Sequence, residues 1–191
     1  SEMCIRDRFW TADGATCAMP SPEGFARLLE TPAAMMSTHC SAASHPGVVR
    51  QRNEDSLVNR PDLGLWAVAD GAGGHGAGDV ASQAIAEALE SIPPGLSGAE
   101  ILAQLRRRLA DVHSRLQARM EGSGGISAST VAILLLRGED YAALWAGDSR
   151  IYLLRDGVLS RVTHDHSLVQ ELVDAGILSE AEAESHPQAN V

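Results

Sequence analysis

A glycine-rich loop joins a buried strand to an amphipathic helix, and this junction constrains the fold more than any other part of the sequence. The strand is predicted at 63–69, where the residues LGLWAVA are nearly all apolar. The loop at 70–76 reads DGAGGHG and begins with Asp70. Apolar residues then recur at three- and four-residue spacing over 78–91, which predicts a helix with one buried stripe. The glycines allow close approach of the backbone at the turn.

The predicted element order places two adjacent helices between two sets of strands. The second helix opens at Ser97 and Glu100, whose spacing is typical of a capping box. Two neighbouring helices do not produce alternating strand–helix–strand units, so the pattern predicts an α+β fold of mainly antiparallel sheet covered by helices. The strands are predicted at 39–44, 55–59, 63–69, 129–136, 141–146, 151–154 and 158–162, with a hairpin turn at Asp156-Gly157, and further helices at 167–175 and from Ser179.

Residues 1–37 differ from the rest of the chain because their apolar residues are isolated and mixed with prolines. They contain one short helical candidate, 24–30. We expect 1–37 to be a poorly ordered tail that precedes a domain at 38–191, with the natural start at Met35 or Met36. Removal of residues 1–34 is then expected to leave the melting transition nearly unchanged.

The charged residues exclude several classes of function. All 15 basic residues are arginine, so a Walker-A lysine, a kinase lysine and a Schiff-base lysine are absent. The formal net charge of −10 argues against nucleic-acid partners and against binding to anionic membranes. The three cysteines are widely and irregularly spaced, as in reduced thiols, and no apolar run reaches membrane length. We therefore expect a soluble cytoplasmic protein.

Acidic residues at the ends of two predicted strands indicate a cation site. Asp70 ends one apolar strand, and the pair Glu54-Asp55 opens the preceding strand. If the two strands are neighbours, three carboxylates and the Gly71 carbonyl converge, and such oxygen ligands suit Mg²⁺ or Mn²⁺. Arg50 would add a planar donor that can bind phosphate through two hydrogen bonds.

Other interpretations of these segments stay open. The glycines of 71–76 match the dinucleotide pattern G-x-G-x-x-G, but that pattern needs a second parallel strand after the helix, and here another helix follows. Residues 147–150, Gly-Asp-Ser-Arg, lie between two predicted apolar strands, and a plain hairpin turn would explain them as well as a functional site would. His164 and His166 have H-x-H spacing, which would suit a metal site, although Asp165 or Ser167 is also placed to cap the next helix.

Four motifs follow one another along the chain. They are Gly47-x-Val49-Arg50-x-x-Asn53-Glu54-Asp55-Ser56, Trp66-Ala67-Val68-Ala69-Asp70-Gly71-x-Gly73-Gly74-His75, Gly147-Asp148-Ser149-Arg150-x-Tyr152 and Thr163-x-Asp165-His166-Ser167. In identity and order they resemble bacterial type 2C protein phosphatases, which belong to the metal-dependent protein phosphatase (PPM) family. The resemblance covers about residues 40–191. A weaker resemblance is to phosphatases encoded with bacterial type VI secretion systems.

The resemblance implies a fold, an activity and a set of site residues. The fold is an α-β-β-α sandwich of two antiparallel sheets flanked by helices, incomplete in this chain, with two Mn²⁺ or Mg²⁺ ions at one edge and a third, weaker site. The activity is metal-dependent hydrolysis of phosphoserine or phosphothreonine on proteins, opposing a bacterial Ser/Thr kinase. The resemblance implies that Asp70 bridges the two metals, that the Gly71 carbonyl contacts one of them, and that Glu54 and Asp55 hold metal-bound waters. It implies that Arg50 binds the substrate phosphate and that Asp148 serves the third metal site. His166 and Ser167 are implied to be structural.

Three departures from the family pattern qualify the expected activity. Ala72 stands where bacterial relatives usually have methionine and animal relatives a histidine proposed as general acid. Residues 128–130, Ala-Ser-Thr, replace the usual Gly-Thr-Thr. Two later aspartates of the first metal site lie beyond Val191 in relatives, so we expect these 191 residues to be inactive or nearly so. A non-catalytic phosphatase-like domain that binds phosphoproteins is the alternative, and a dinucleotide-binding protein is a remote one.

Overall fold

The computed structural model describes residues 16–18, 22–30, 39–48, 52–73, 77–123, 127–138, 140–184 and 186. In chain order the elements are β1 (Thr16–Ala18), α1 (Pro22–Glu30), β2 (Asp55–Arg60), a 3₁₀ turn (Pro61–Leu63), β3 (Leu65–Ala72), α2 (Ala77–Glu90), α3 (Gly98–Ser123), β4 (Ala128–Ser129), β5 (Val131–Arg137), β6 (Asp140–Ala146), β7 (Tyr152–Arg155), β8 (Val158–Arg161), α4 (Leu168–Asp174) and α5 (Glu180–Glu184). Within these residues, no helix is long and apolar enough to cross a membrane.

Two antiparallel sheets organise the described residues. The larger has the strand order β1-β6-β5-β3-β2, and β4 also pairs with β3 beyond the end of its pairing with β5. The smaller sheet is the β7–β8 hairpin. Adjacent helices α2 and α3 interrupt the strands, as predicted, and the strand pairings among the described residues are all antiparallel. The predicted α+β class with two antiparallel sheets is confirmed.

The main core lies between the larger sheet and the pair α2 and α3. Alternate residues of β3 point to one face of the sheet, and Leu65, Ala67 and Ala69 are all buried there. The stripes of α2 and α3 cover this face, with Leu89 and Leu105 fully buried. On the opposite face of the sheet, a smaller cluster of Ala132, Ala143 and Trp145 packs against Ile151 and Val162, which lie close to the smaller sheet.

Local sequence signals fix several element ends. The backbone N–H of Ser97 donates to Glu100 at 2.8 Å, and the N–H of Glu100 donates to the Ser97 hydroxyl, which completes the predicted capping box of α3. Ser179 and Glu182 repeat the same arrangement before α5. The predicted hairpin turn at Asp156-Gly157 has φ values of 52° and 78°, the left-handed geometry that such turns require.

Residues 22–30 of the N-terminal region form a helix that packs against the main core. In α1, Leu28 is fully buried in the main core, and Arg27 binds the Asp140 carboxylate through two hydrogen bonds of 2.8 and 2.9 Å. Gly98 at the start of α3 leaves room for the Leu28 carbonyl, since a Cβ at residue 98 would overlap that oxygen. For residues 16–18 and 22–30 the structure therefore shows packed elements, while the domain boundary at residue 38 stays a prediction.

Two strand predictions need correction. Residues 39–44, expected to form a strand, have no regular secondary structure and are exposed. A strand is stabilised by pairing and by burial of one face, and this stretch has neither in the structure. The strand predicted from residue 63 begins at Leu65, because Pro61–Leu63 form a 3₁₀ turn that ends at Gly64 with a φ of 55°.

Candidate metal centre

Asp55 and Asp70 face each other across β2 and β3. They are directly opposed partners in the antiparallel register, so their side chains leave the same face of the sheet, and both residues are exposed. Opposed partners in such a pair have Cβ atoms about 4.5–5.5 Å apart, and two like charges at this distance destabilise a sheet. A divalent cation between the two carboxylates removes that repulsion, so the pair fits a cation site.

Close backbone packing holds the strand ends against helix α2. The N–H of Gly71 donates to the Glu54 carbonyl at 3.0 Å, and the buried Ser82 hydroxyl donates to the same carbonyl at 2.5 Å. A Cβ on Gly71 would overlap the carbonyl oxygen of Gly78 in the first turn of α2. The expectation that glycine permits close backbone approach here is confirmed at Gly71, and the packing brings the first turn of α2 against the end of β3.

Residue 148 lies in a loop that is connected to Asp70. The Asp70 N–H donates to the Thr130 hydroxyl at 3.3 Å, and that hydroxyl shares a hydrogen bond of 2.5 Å with Ser149. Gly147 has a φ of 94°, and a Cβ there would lie 2.7 Å from the Thr130 methyl carbon. The structure therefore places the Asp148 loop next to the strand end that carries Asp70, with Asp148 itself exposed.

The same loop is held from its other side by residues 165 and 166. Two nitrogens of Arg150 bind the Asp165 carboxylate, and this contact raises the pKa of Arg150 above its ordinary value. The Gly147 N–H donates to His166 Nδ1 at 3.3 Å, and the backbone N–H of His166 donates to the Gly147 carbonyl at 3.0 Å. The contacts of His166 are those of a structural residue, and they give no support to the H-x-H metal interpretation.

Helix α4 begins at one of the two capping candidates named from the sequence. The Ser167 hydroxyl accepts a hydrogen bond from the Gln170 N–H at 3.2 Å, so the N-cap is Ser167. Asp165 is instead engaged by Arg150. Ser167 is therefore structural, as the resemblance implied.

The predicted site residues are only partly brought together. Glu54 directly precedes β2, and its backbone carbonyl joins β3 to α2 as described. Among the residues that the structure describes, no three Asp, Glu, His or Cys side chains are close enough to hold a metal ion together. The convergence of three carboxylates expected from the sequence is thus not seen, and two of them, Asp55 and Asp70, face each other. Arg50 lies outside the described residues.

The donor atoms at this edge suit a hard cation. Asp55 and Asp70 supply carboxylate oxygens, and Gly71 adds a backbone carbonyl at the next position of β3. Oxygen ligands of this kind are those that Mg²⁺ and Mn²⁺ take in proteins, whereas zinc sites are built mainly from sulfur and nitrogen. These residues therefore fit part of the ligand set of such an ion.

The dinucleotide interpretation does not fit the fold. A Rossmann unit requires a parallel strand after the helix, beside the strand that carries the glycines. Here α2 is followed by α3, and β3 has antiparallel neighbours on both sides.

Sequence reasoning missed three hydroxyl residues that support the site. Thr130 and Ser149 join Asp70 to the Asp148 loop, and Ser82 binds the Glu54 carbonyl. Ser82 had a detectable signal, because a serine that falls on the buried stripe of a helix needs a hydrogen-bond partner. No spacing rule connects residue 130 with 149, so the sequence alone gave no sign of that contact.

The sequence is similar to those of bacterial serine/threonine phosphatases. The chain is 39% identical to serine/threonine protein phosphatase PstP of Mycobacterium tuberculosis over 153 residues, covering 79% of this chain and 29% of the relative. It is 34% identical to serine/threonine phosphatase stp of Listeria monocytogenes over 163 residues, covering 80% and 64%. The chain thus spans less than two thirds of the length of these relatives.

Solved structures are also similar to this chain. PppA, described as a key regulatory component of T6SS in Pseudomonas aeruginosa, matches with 44% identity and a TM-score of 0.69, over 78% of this chain and 61% of that one. The catalytic domain of PstP in complex with two manganese ions matches with 38% identity and a TM-score of 0.65, over 75% and 62%.

A family model covers most of the sequence. The model described as Protein phosphatase 2C matches residues 43–190, which include β2, β3 and the Asp148 loop. The chain therefore belongs to the protein phosphatase 2C family.

Proposed function

We propose that the protein hydrolyses phosphoserine and phosphothreonine on protein substrates in a metal-dependent reaction. The observation that carries this proposal is the direct opposition of Asp55 and Asp70 at the end of β2 and β3, in a chain that belongs to the type 2C phosphatase family. The chain has no lysine, so the proposal relies on carboxylates, cations and arginine.

Two Mn²⁺ or Mg²⁺ ions are the proposed cofactors, with a third, weaker site at Asp148. Asp70, Asp55, Glu54 and the Gly71 carbonyl would hold the first two directly or through water. Such ions, when bound, lower the pKa of a coordinated water and neutralise charge on phosphate oxygens. A related solved structure, that of the PstP catalytic domain, contains two manganese ions.

The protein's own residues would orient the substrate and the ligands. Arg50 is proposed to bind the substrate phosphate through two parallel N–H groups, which fixes the direction of the phosphorus. The hydrogen bonds from Gly71 and Ser82 to the Glu54 carbonyl keep the strand ends in register. Ala72 has no proton to give, so the proton for the leaving serine or threonine oxygen must come from water or from another side chain.

The experiment compares the 191-residue chain with the protein expressed from its complete reading frame. Both are incubated with a phosphothreonine peptide, with a chelator and then with added Mn²⁺, and free phosphate is measured. We expect Mn²⁺-dependent release by the complete product. We expect little release from the 191 residues, because no three-residue metal cluster occurs in the part that the structure describes. Release that persists in the chelator contradicts the proposal.

A second candidate is a phosphatase-like domain that binds phosphoproteins without hydrolysing them. Ala72, exposed at the end of β3, is the observation that favours it, since a methyl group cannot transfer a proton. The same phosphopeptide distinguishes the two functions. Binding measured by calorimetry with no phosphate release, with or without Mn²⁺, supports the second candidate.

The proposed partners are a phosphorylated protein and a cognate Ser/Thr kinase system. The match to PppA, which is described as a regulator of T6SS, supports a type VI secretion system as the setting. We also propose a cytoplasmic location and no nucleic-acid or membrane partner, in keeping with the acidic net charge of −10.

A further inference from the structure

We propose that Thr130 is a positioning residue that couples Asp70 to the Asp148 loop, so that the two aspartates are set in one arrangement. The proposal rests on the proposed function, because it assigns the residue a role in the same site. It starts from a single hydroxyl group that contacts both sides of the candidate centre.

Asp70 is bound at both of its backbone polar groups by the segment 129–130. Its N–H donates to the Thr130 hydroxyl at 3.3 Å, and its carbonyl accepts from the Thr130 N–H at 2.9 Å. The Ser129 hydroxyl donates to the same carbonyl at 3.0 Å. These bonds fix the backbone from which the Asp70 carboxylate projects, at the point where β3 leaves β5 and pairs with β4.

Thr130 contacts the Asp148 loop through the same hydroxyl and through its methyl group. Its hydroxyl lies 2.5 Å from the Ser149 hydroxyl, and the pair is half-buried. Its methyl group packs under Gly147, where the left-handed backbone leaves no room for a Cβ. A change in the position of this side chain therefore moves both the support of Asp70 and the support of Asp148.

The other side of the Asp148 loop is held by contacts that do not involve Thr130. His166 binds Gly147, and Asp165 binds Arg150. The loop thus stays folded when the Thr130 hydroxyl is removed, and what changes is its register with Asp70. A half-buried hydroxyl of this kind contributes on the order of one hydrogen bond to the arrangement.

The test uses Thr130→Val, which keeps the shape and the methyl contact but removes the hydroxyl. Thr130→Ser restores the hydroxyl, and Ser149→Ala removes its partner. Thr163→Val is the matched control, because the buried Thr163 hydroxyl accepts from the Ile151 N–H at 3.1 Å, whereas the Asp70 N–H donates to Thr130. Each variant is made in the 191-residue chain and in the protein expressed from the complete reading frame.

In the complete product, the Mn²⁺ concentration for half-maximal phosphopeptide hydrolysis, kcat and KM are measured. We expect Thr130→Val to raise the half-maximal Mn²⁺ concentration about tenfold and to lower kcat with little change in KM. Thr130→Ser should recover most of the loss, and Ser149→Ala should move in the same direction as Thr130→Val. If Thr130→Val matches Thr163→Val in all three quantities, the proposal is overturned.

In the 191-residue chain, amide hydrogen exchange of Asp70 and of residues 147–150 is measured without metal. Faster exchange at both places in Thr130→Val, and at neither in Thr163→Val, supports the coupling. Equal exchange in the two variants overturns it. Hydrogen exchange does not depend on hydrolysis. If the wild-type protein releases no phosphate, the proposed function is contradicted, and hydrogen exchange still tests the coupling.

Discussion

Gly71 and Gly78 pack backbone against backbone where β3 passes into α2. A Cβ on Gly78 would lie 2.8 Å from the carbonyl carbon and oxygen of Gly71. This contact sets the distance between the strand that carries Asp70 and the helix that covers it.

Gly78→Ala should therefore destabilise the protein, although alanine is normally the better helix former by about 1 kcal/mol. We expect the free energy of unfolding to fall by about 1–3 kcal/mol, because backbone atoms on both sides must shift. Urea unfolding followed by circular dichroism measures the change. Ser114→Ala, at an exposed position of α3, is the control and should be neutral or slightly stabilising. A stabilised Gly78→Ala variant would show that the two backbones are not in contact.

Leu28→Ala tests whether α1 belongs to the folded unit. Leu28 is fully buried in the main core, so its truncation should lower the free energy of unfolding by about 2–5 kcal/mol. Glu30→Ala, at an exposed position of the same helix, should change it by less than about 0.5 kcal/mol. The expectation that residues 1–34 can be removed without effect stays a prediction, and a loss of this size would contradict it. Equal melting temperatures for wild type and Leu28→Ala would support it.

The pattern of successes and failures in the sequence prediction has a physical explanation. The stripe that includes Ile85 and Leu89 and the Ser97–Glu100 box depend on residues a few positions apart, so local spacing was enough to predict α2 and α3. The strand predicted at 39–44 was wrong, because strand formation needs a partner that local spacing does not reveal. The Thr130–Ser149 contact was missed for the same reason.

At the site, too, local sequence position predicted some features, and contacts between distant residues were not predicted. Asp70 and Asp55 were located from their places at strand ends, and the antiparallel register then brought them face to face. Outside the site, the packing of the Leu28 carbonyl against Gly98 could not be predicted. It requires that residue 98 has no Cβ, and it joins residues that are far apart in sequence.

His166 should make stability depend on pH below its unfolded pKa of about 6.5. Burial lowers the pKa of His166, although the negative charge of Asp165 opposes this, so the folded state favours the neutral ring. The neutral ring is also the form whose Nδ1 accepts from the Gly147 N–H. This contribution to stability is fully present above the unfolded pKa and is lost as the pH falls from there towards the lower folded pKa.

The comparison with His166→Asn isolates this effect, since Asn offers a side-chain oxygen to Gly147 but does not titrate. Between about pH 7.5 and about pH 5.5 the wild type should lose more of its melting temperature than the variant. Because the ring is partly open to solvent, we expect a small difference. Identical pH profiles would mean that His166 keeps its ordinary pKa in the folded protein.

The most direct test of the proposed centre is the effect of Asp70→Asn on Mn²⁺-dependent hydrolysis of a phosphothreonine peptide by the protein expressed from its complete reading frame. The amide keeps the size of the side chain and removes the charge opposite Asp55. The control is Asp62→Asn, which changes an aspartate in the 3₁₀ turn that is bound to Arg60 and is distant from the strand end. We predict that Asp70→Asn lowers the rate at least about 100-fold while the protein stays folded, and that Asp62→Asn leaves the rate nearly unchanged. A folded Asp70→Asn protein that keeps the wild-type rate at the same Mn²⁺ concentration would contradict the assignment of the metal centre.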